Sequence, residues 1–348
     1  WPRSGTTGRR CARVASSSSD RTRGVRAALG ALAVLHGFAV LAARAAGGQL
    51  PASTLAVRTD TGWATWWRAA RAPARWDAPH PLVAGALRWR AARPGVEVAT
   101  LDLAGSAEAW RIRAIVARVD PRTLRFRLDL PPGGRAAWDV EALGDDAMFA
   151  CNAGQFRPGG PWGWIVRDGR EVQAPGRGPL TVAIVVDAAG VVRLVPADSV
   201  PAVRAARVAE TAFQSYPALL VGDGAVPRAL ARVGAGIDVT HRDSRLALGL
   251  LPDGRLLLAL TRFHGLGGVL SPMPVGLTIP ETAALMGALG ARRAVALDGG
   301  TSGQLLVRGA DGAAERWPGW RKVPLGFVGE GRDAGGGAPP PAPQRTSR

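Results

Sequence analysis

The stretch from Gly276 to Val307, GLTIPETAALMGALGARRAVALDGGTSGQLLV, constrains this chain more than any other. It reads as a helix, a buried strand, a glycine-rich loop and a second strand. Thr278 and Glu281 have capping-box spacing, and Pro280 is tolerated in a first helical turn. Ala283, Leu285, Met286 and Leu289 give the helix an apolar face, and Gly290 is placed to end it. The run AVAL then suits a buried strand and delivers Asp298 at its end, followed by GGTSG. An acid at a strand terminus beside a glycine loop can face a ligand, or it can cap local amides in a tight turn.

From about Val96 onward the chain alternates or runs apolar in short segments. VEVATLDL, WRIRAIVARV and LRFRLDL read as strands, and LTVAIVVD with VVRLV as a hairpin. RLALGLL and RLLLALTRF are continuous enough to be central strands. Asp168-Gly169, Asp223-Gly224, Asp253-Gly254 and Asp311-Gly312 each separate such runs and predict hairpins. Helices are few, over Val203 to Phe213, Pro227 to Val233 and Thr278 to Leu289. The expected class is α+β: a β-rich mixed sheet domain with several antiparallel hairpins, over residues 96–330.

The flanks read differently. Residues 1–26 hold seven Arg against one Asp, and Ala27 to Ala43 contains no charged residue. With Ala43-Arg44-Ala45 after it, this resembles a secretory signal over residues 1–46; an uncleaved membrane anchor is the alternative. Residues 47–95 are rich in Ala, Pro, Arg and Trp, and are expected to form a linker and a short helix around Trp63 to Arg71. Residues 331–348 are Gly/Pro-rich and are expected to be disordered. The formal charge of +17 carries no lysine except Lys322 and no basic stripe interleaved with aromatics. No nucleic-acid partner is therefore expected. Of the two cysteines, Cys11 precedes the apolar stretch, and Cys151 reads as a small buried residue. The four His are scattered, so no metal site and no cofactor are implied. Ser302, His241 and Asp298 could compose a triad, but GGTSG is not a nucleophile elbow.

Three further polar clusters interrupt apolar runs. FACNAGQF places Asn152 and Gly154 after a short strand, FQSYPALLVGDG places Gln214 before Pro217, and HRDSRLALG places His241, Arg242, Asp243 and Arg245 before a buried strand. Each residue can serve a site or cap its own turn. The ordered set NAGQF, SYPALLVGDG, RDSRLALG and GLTIPETAALMGALGARRAVALDGGTSGQL resembles the phosphodiester glycosidase family. That family includes uncovering-enzyme-like N-acetylglucosamine-1-phosphodiester alpha-N-acetylglucosaminidases and exported, exopolysaccharide-associated bacterial relatives. Asn152, Arg245, Asp298, Gly299, Gly300 and Ser302 match its motifs. Gln155, Ser244, Leu246, Thr301 and Gly303 depart from them.

The resemblance implies an exported hydrolase that cleaves a sugar 1-phosphodiester to free sugar and a phosphate monoester. Asp298 is then the carboxylate at the anomeric carbon and Arg245 the phosphate-gripping cation. Asn152, Gly154, Gly299, Gly300, Ser302, Gln214 and His241 make up the substrate-binding set. An envelope protein that binds glycan without turning it over is the other class in view.

Overall fold

The computed structural model describes residues 50–265 and 273–332. The secretory or anchoring stretch, Cys11 and the Gly/Pro-rich tail lie outside the described residues.

Period-two alternation builds the largest sheet, which has nine strands. Its main path runs through Ala218–Leu220, Arg293–Leu297, Leu246–Leu250, Leu256–Phe263, Ile112–Val119, Val96–Gly105, Thr54–Thr59 and Gly62–Arg68, and Arg90–Arg93 pairs beside Val96–Gly105. Every pairing among the described residues is antiparallel. In the central strands Ala247, Ala259, Ala294 and Ala296 share one face, and Leu246, Leu248, Leu258, Leu260, Val295 and Leu297 the other.

The alanine face receives the helix Ile279–Ala288, which small side chains allow to approach closely. A Cβ on Gly249 would lie 2.9 Å from Met286 Cε. The capping box forms as expected: the Thr278 hydroxyl accepts from the Glu281 amide at 3.3 Å, and Glu281 Oε2 accepts from the Thr278 amide at 2.9 Å. All of the helix is buried, including the side turned away from the sheet.

What covers that outer side is the segment expected to be a linker. Trp66, Trp67, Trp76 and Val83 join the same core, and a Cβ on Gly287 would fall 2.2 Å from the Trp76 ring. The expected helix over Trp63 to Arg71 is instead the strand Gly62–Arg68, hairpinned to Thr54–Thr59, with a 3-10 turn at Ala69–Arg71. Burying two tryptophans and an open sheet edge outweighs the modest helix preference of Ala and Arg.

The leucine face packs on two five-stranded sheets. One is ordered Arg170–Gln173, Ile165–Arg167, Ala209–Ser215, Val182–Asp187, Val192–Pro196; the other Ala314–Trp317, Leu305–Arg308, Ala147–Asn152, Gly326–Gly331, Leu124–Asp129. Phe126 stacks on Phe327 at 4.8 Å, and Phe213 meets Phe327 at 5.4 Å, which welds the two sheets at a shared core.

Three local expectations fail. The helix placed over Val203 to Phe213 lies earlier, at Val200–Ala206, and stops at Arg207 with φ 51°. Ala209–Ser215 is a central strand because Phe213 is needed in the core. Pro227 to Val233 gives a short 3-10 turn, Arg228–Ala231. Asp168-Gly169, Asp253-Gly254 and Asp311-Gly312 make their hairpins. Asp223-Gly224 closes only the bridge Val221–Ala225, since the Gly224 amide goes to Arg292 O at 2.8 Å.

Candidate active site

Leu246 pairs with Leu297, so Arg245 and Asp298 are the next residues out, on adjacent strand ends. The chain must then turn sharply beneath Ser244. A Cβ on Gly299 would sit 2.4 Å from Ser244 O, and Gly300 has φ +57° with its amide on Ser244 O at 2.7 Å. Both positions therefore need glycine. The amides of Gly300 and Ser302 are used within the fold, on Ser244 O and on Gly299 O at 3.0 Å. Both residues were expected in the substrate-binding set, and these two amides serve the turn instead.

Asn152 and Gly154 hold the main chain on either side of Asp298. Asn152 is fully buried; its Nδ2 donates to Asp298 O at 2.7 Å and its Oδ1 accepts from the Gln304 amide at 2.8 Å. The Asp298 amide donates to Gly154 O at 3.1 Å. Neither residue lines the cleft that carries Asp298. Gln214 is further removed, its Oε1 accepting from the amides of Trp164 at 2.7 Å and Gly176 at 2.8 Å.

Arg245 also differs from its expected role. Its Nε donates to Leu277 O at 2.7 Å and its Nη2 to His241 O, while its own amide donates to Thr261 Oγ1 at 2.8 Å. The guanidinium ties the loop before its strand to the loop before the long helix. Two main-chain carbonyls occupy Nε and Nη2, the edge that a side-on parallel grip on phosphate would use. His241 is exposed at the rim, with Nε2 3.6 Å from Asp243 Oδ2, and the Ser302 hydroxyl hydrogen-bonds the Asp298 carboxylate. No triad forms. Cys151 is buried, and burial pushes its thiol up, away from nucleophilic use.

A cleft of about 870 Å³ opens over the glycine loop. Asp298, Asp243 and residues 299–302 line it together with the turns at 133–136 and 156–160 and the segment carrying Arg321 and Lys322. Burial raises the Asp298 carboxyl to about 6; the Ser302 hydrogen bond opposes this, Asp243 adds to it and Arg321 opposes it. Asp243 Oδ1 is buried with no hydrogen-bond partner among the described residues. Beneath the loop, Arg262 is 3% exposed and donates through Nη2 to Gly303 O at 2.6 Å, Pro318 O at 2.8 Å and Trp317 O at 3.2 Å. It fastens the glycine loop to the segment leading to Arg321, and burial lowers its pKa to about 10.

The structure thus brings Asp298, Gly299, Gly300 and Ser302 to one cleft. It makes Asn152, Gly154 and Arg245 their supports and leaves Gln214 elsewhere. It adds a second carboxylate, Asp243, and cations from Arg135, Arg157, Arg321 and Lys322. Asp243 stood in the HRDSR cluster and could have been weighed as an acid. The arginines carried no local signal in a chain so rich in arginine. Among the described residues no three His, Cys, Asp or Glu side chains converge as a metal site.

The cleft over the glycine loop, with its two carboxylates and its cations, is the candidate active site of this β-rich domain. The phosphodiester glycosidase family profile matches residues 145–328, more than half of the chain. The chain belongs to the phosphodiester glycosidase family. Among solved structures it is similar to the catalytic domain of zebrafish N-acetylglucosamine-1-phosphodiester alpha-N-acetylglucosaminidase, described as auto-inhibited by its pro-peptide. The two are 17% identical over 72% of this chain and 91% of that one, with a TM-score of 0.54, a likeness of fold. A hypothetical protein from Synechocystis is 16% identical over 82% of this chain and 69% of that one, with a TM-score of 0.46. No curated protein matches the sequence.

Proposed function

We propose that this protein hydrolyses the glycosidic bond of a sugar 1-phosphodiester, releasing free sugar and a phosphate monoester. The observation that carries the reading is Asp298: a part-buried carboxylate raised to about 6, on a glycine loop in a cleft shared with Asp243 and several cations. Such a group is ionised near neutral pH yet remains basic enough to accept a proton. Asp298 either attacks the anomeric carbon or takes a proton from the attacking water. In both cases the bond from that carbon to the phosphate oxygen breaks, and its electron pair leaves on phosphate. Where Asp298 attacks, water then displaces it from the anomeric carbon, freeing the sugar and the carboxylate. A phosphate monoester is a good leaving group, so no strong acid need protonate it.

Asp243 then serves as the second carboxylate, and Ser302 orients the first. The arginine-rich start followed by the uncharged stretch 27–43 supports placing the reaction outside the cytoplasm. N-terminal sequencing of secreted protein should begin near Ala46; full-length cytoplasmic protein would overturn the export.

The test is a product assay with purified protein over a series of sugar 1-phosphodiesters. Free sugar and phosphate monoester should appear in equal amounts, and Asp298→Asn should abolish both. Glycan bound without any release would favour an envelope glycan-binding protein instead.

A further inference from the structure

The cleft needs a cation for the phosphate, and Arg245 is already committed to two carbonyls. Lys322 is committed as well, its Nζ 2.8 Å from Asp139 Oδ2. Arg157 differs from both. It lines the cleft, is exposed, and has no acidic partner among the described residues. Its guanidinium carbon stands 3.6 Å from the centre of the Trp162 ring.

Stacking on an indole occupies one flat face of a guanidinium and leaves its N–H groups free around the edge. The group is thereby fixed in orientation without losing the donors that a phosphate needs.

The surrounding hairpin is built to hold that pose. Gln155–Arg157 pairs with Gly160–Trp162, Gln155 facing Trp162 and Arg157 facing Gly160. The turn between them uses Gly159 at φ +102° and Gly160 at φ +138°, conformations other residues rarely reach. Trp162 meets Tyr216 edge-on at 5.8 Å, and Gln155 Nε2 donates to Tyr216 O at 3.3 Å. Gln173 Nε2 donates to Pro161 O at 3.1 Å and Gly163 O at 2.7 Å, holding the far side. The space beside the indole is kept by Gly176, whose Cβ would lie 3.1 Å from Trp162 Nε1. Gln155, the departure from the family pattern in NAGQF, is thus one of the anchors of this arm.

We propose that Arg157, held flat on Trp162, is the residue that grips the phosphate of the substrate, and that Trp162 positions it. The inference rests on the phosphodiester reading above, and it makes a claim about binding that can be read without turnover.

The experiment titrates inorganic phosphate into the full chain at moderate salt and compares five variants. Arg157→Ala should weaken phosphate binding about tenfold or more, and Arg157→Lys by less. Trp162→Ala should weaken it severalfold although the arginine remains, and Trp162→Phe should restore most of the loss. Arg170→Ala, an exposed arginine absent from the cleft lining, controls for general attraction to a chain of net charge +17.

In kinetics, Arg157→Ala should raise KM for a sugar phosphodiester while leaving a phosphate-free aryl glycoside unchanged. Phosphate affinity equal in wild type, Arg157→Ala and Arg170→Ala would overturn the assignment, as would a folded wild type that binds no phosphate. Sugar release with KM unaltered in Arg157→Ala would sink this inference and keep the phosphodiester reading. Phosphate held through Arg157 with no sugar released from any phosphodiester would do the reverse.

Discussion

Asp253 and Asp298 lie beyond opposite ends of the strand Leu246–Leu250, one in the turn that follows it and one at the end of its neighbour Arg293–Leu297, and their surroundings are opposite too. Asp253 lies in the turn joining Leu246–Leu250 to Leu256–Phe263, where it accepts from the Arg255 amide at 3.1 Å and the Arg255 Nε at 2.7 Å. Burial works against its charge, but these hydrogen bonds prevail and hold the carboxyl below its ordinary value. Asp298, at the cleft end, is penalised by burial and by Asp243, and Ser302 and Arg321 compensate only in part. One carboxylate is satisfied and serves the fold. The other is left short of partners, as a group reserved for chemistry tends to be.

The signs of the two pH dependences follow. Asp253, lowered on folding, adds stability above its unfolded value that is lost as pH falls through its folded one. Asp298, raised on folding, adds stability at low pH that is lost as pH rises from the ordinary carboxylate range to about 6.

The largest expected effect breaks the comparison at its chemical end. Asp298→Asn should cut sugar release by roughly a thousandfold or more, with substrate still bound. The same variant should melt higher than wild type above pH 6, by on the order of 1 kcal/mol, because it removes a poorly solvated charge. Retained turnover, or a lower melting temperature at pH 8, would place Asp298 among the structural acids with Asp253.

Arg245→Lys sharpens the contrast between support and site. Losing the fork that spans Leu277 O and His241 O should destabilise by about 1–2 kcal/mol. Activity should fall equally on phosphate-bearing and phosphate-free substrates, measured side by side. A KM rise confined to phosphodiesters would return the phosphate to Arg245.

Cys151→Ala should cost about 1 kcal/mol of packing and keep the activity, as denaturant melts and a rate assay would show. A pH profile is subtler: kcat/KM should climb through about pH 6 as Asp298 ionises. Asp243→Asn should move that limb to lower pH by a fraction of a unit, burial being the larger cause. An unmoved limb would uncouple the two acids. Smallest of all, Asp253→Asn should lose less than about 0.5 kcal/mol near neutral pH, less still in acid, and change no rate.

Much of this was legible in the chain. Thr278 and Glu281 announce their helix because a capping box is closed within four residues. The Asp-Gly pairs announce hairpins for the same reason, and Asp223-Gly224 fails where Gly224 takes a partner, Arg292, from another strand's approach. Asp298 was readable as a strand-end acid, and the glycines after it as a close backbone approach. The hairpin of residues 54–68 was not readable, since its tryptophans are ordered by a helix more than two hundred residues later.

The sequence alone determined the antiparallel β-rich class, the long helix and the acid with its glycine loop, because periodicity, capping and turn chemistry act over a few residues. Only the tertiary structure decided which charged groups are free. Arg245 and Arg157 are the same residue type, and nothing local separates them. One is occupied by the carbonyl of Leu277, brought from the next loop, and the other stands over the Trp162 ring and lines the cleft. A guanidinium's role is set by the donors its neighbours leave unused, and those neighbours are assembled by the fold.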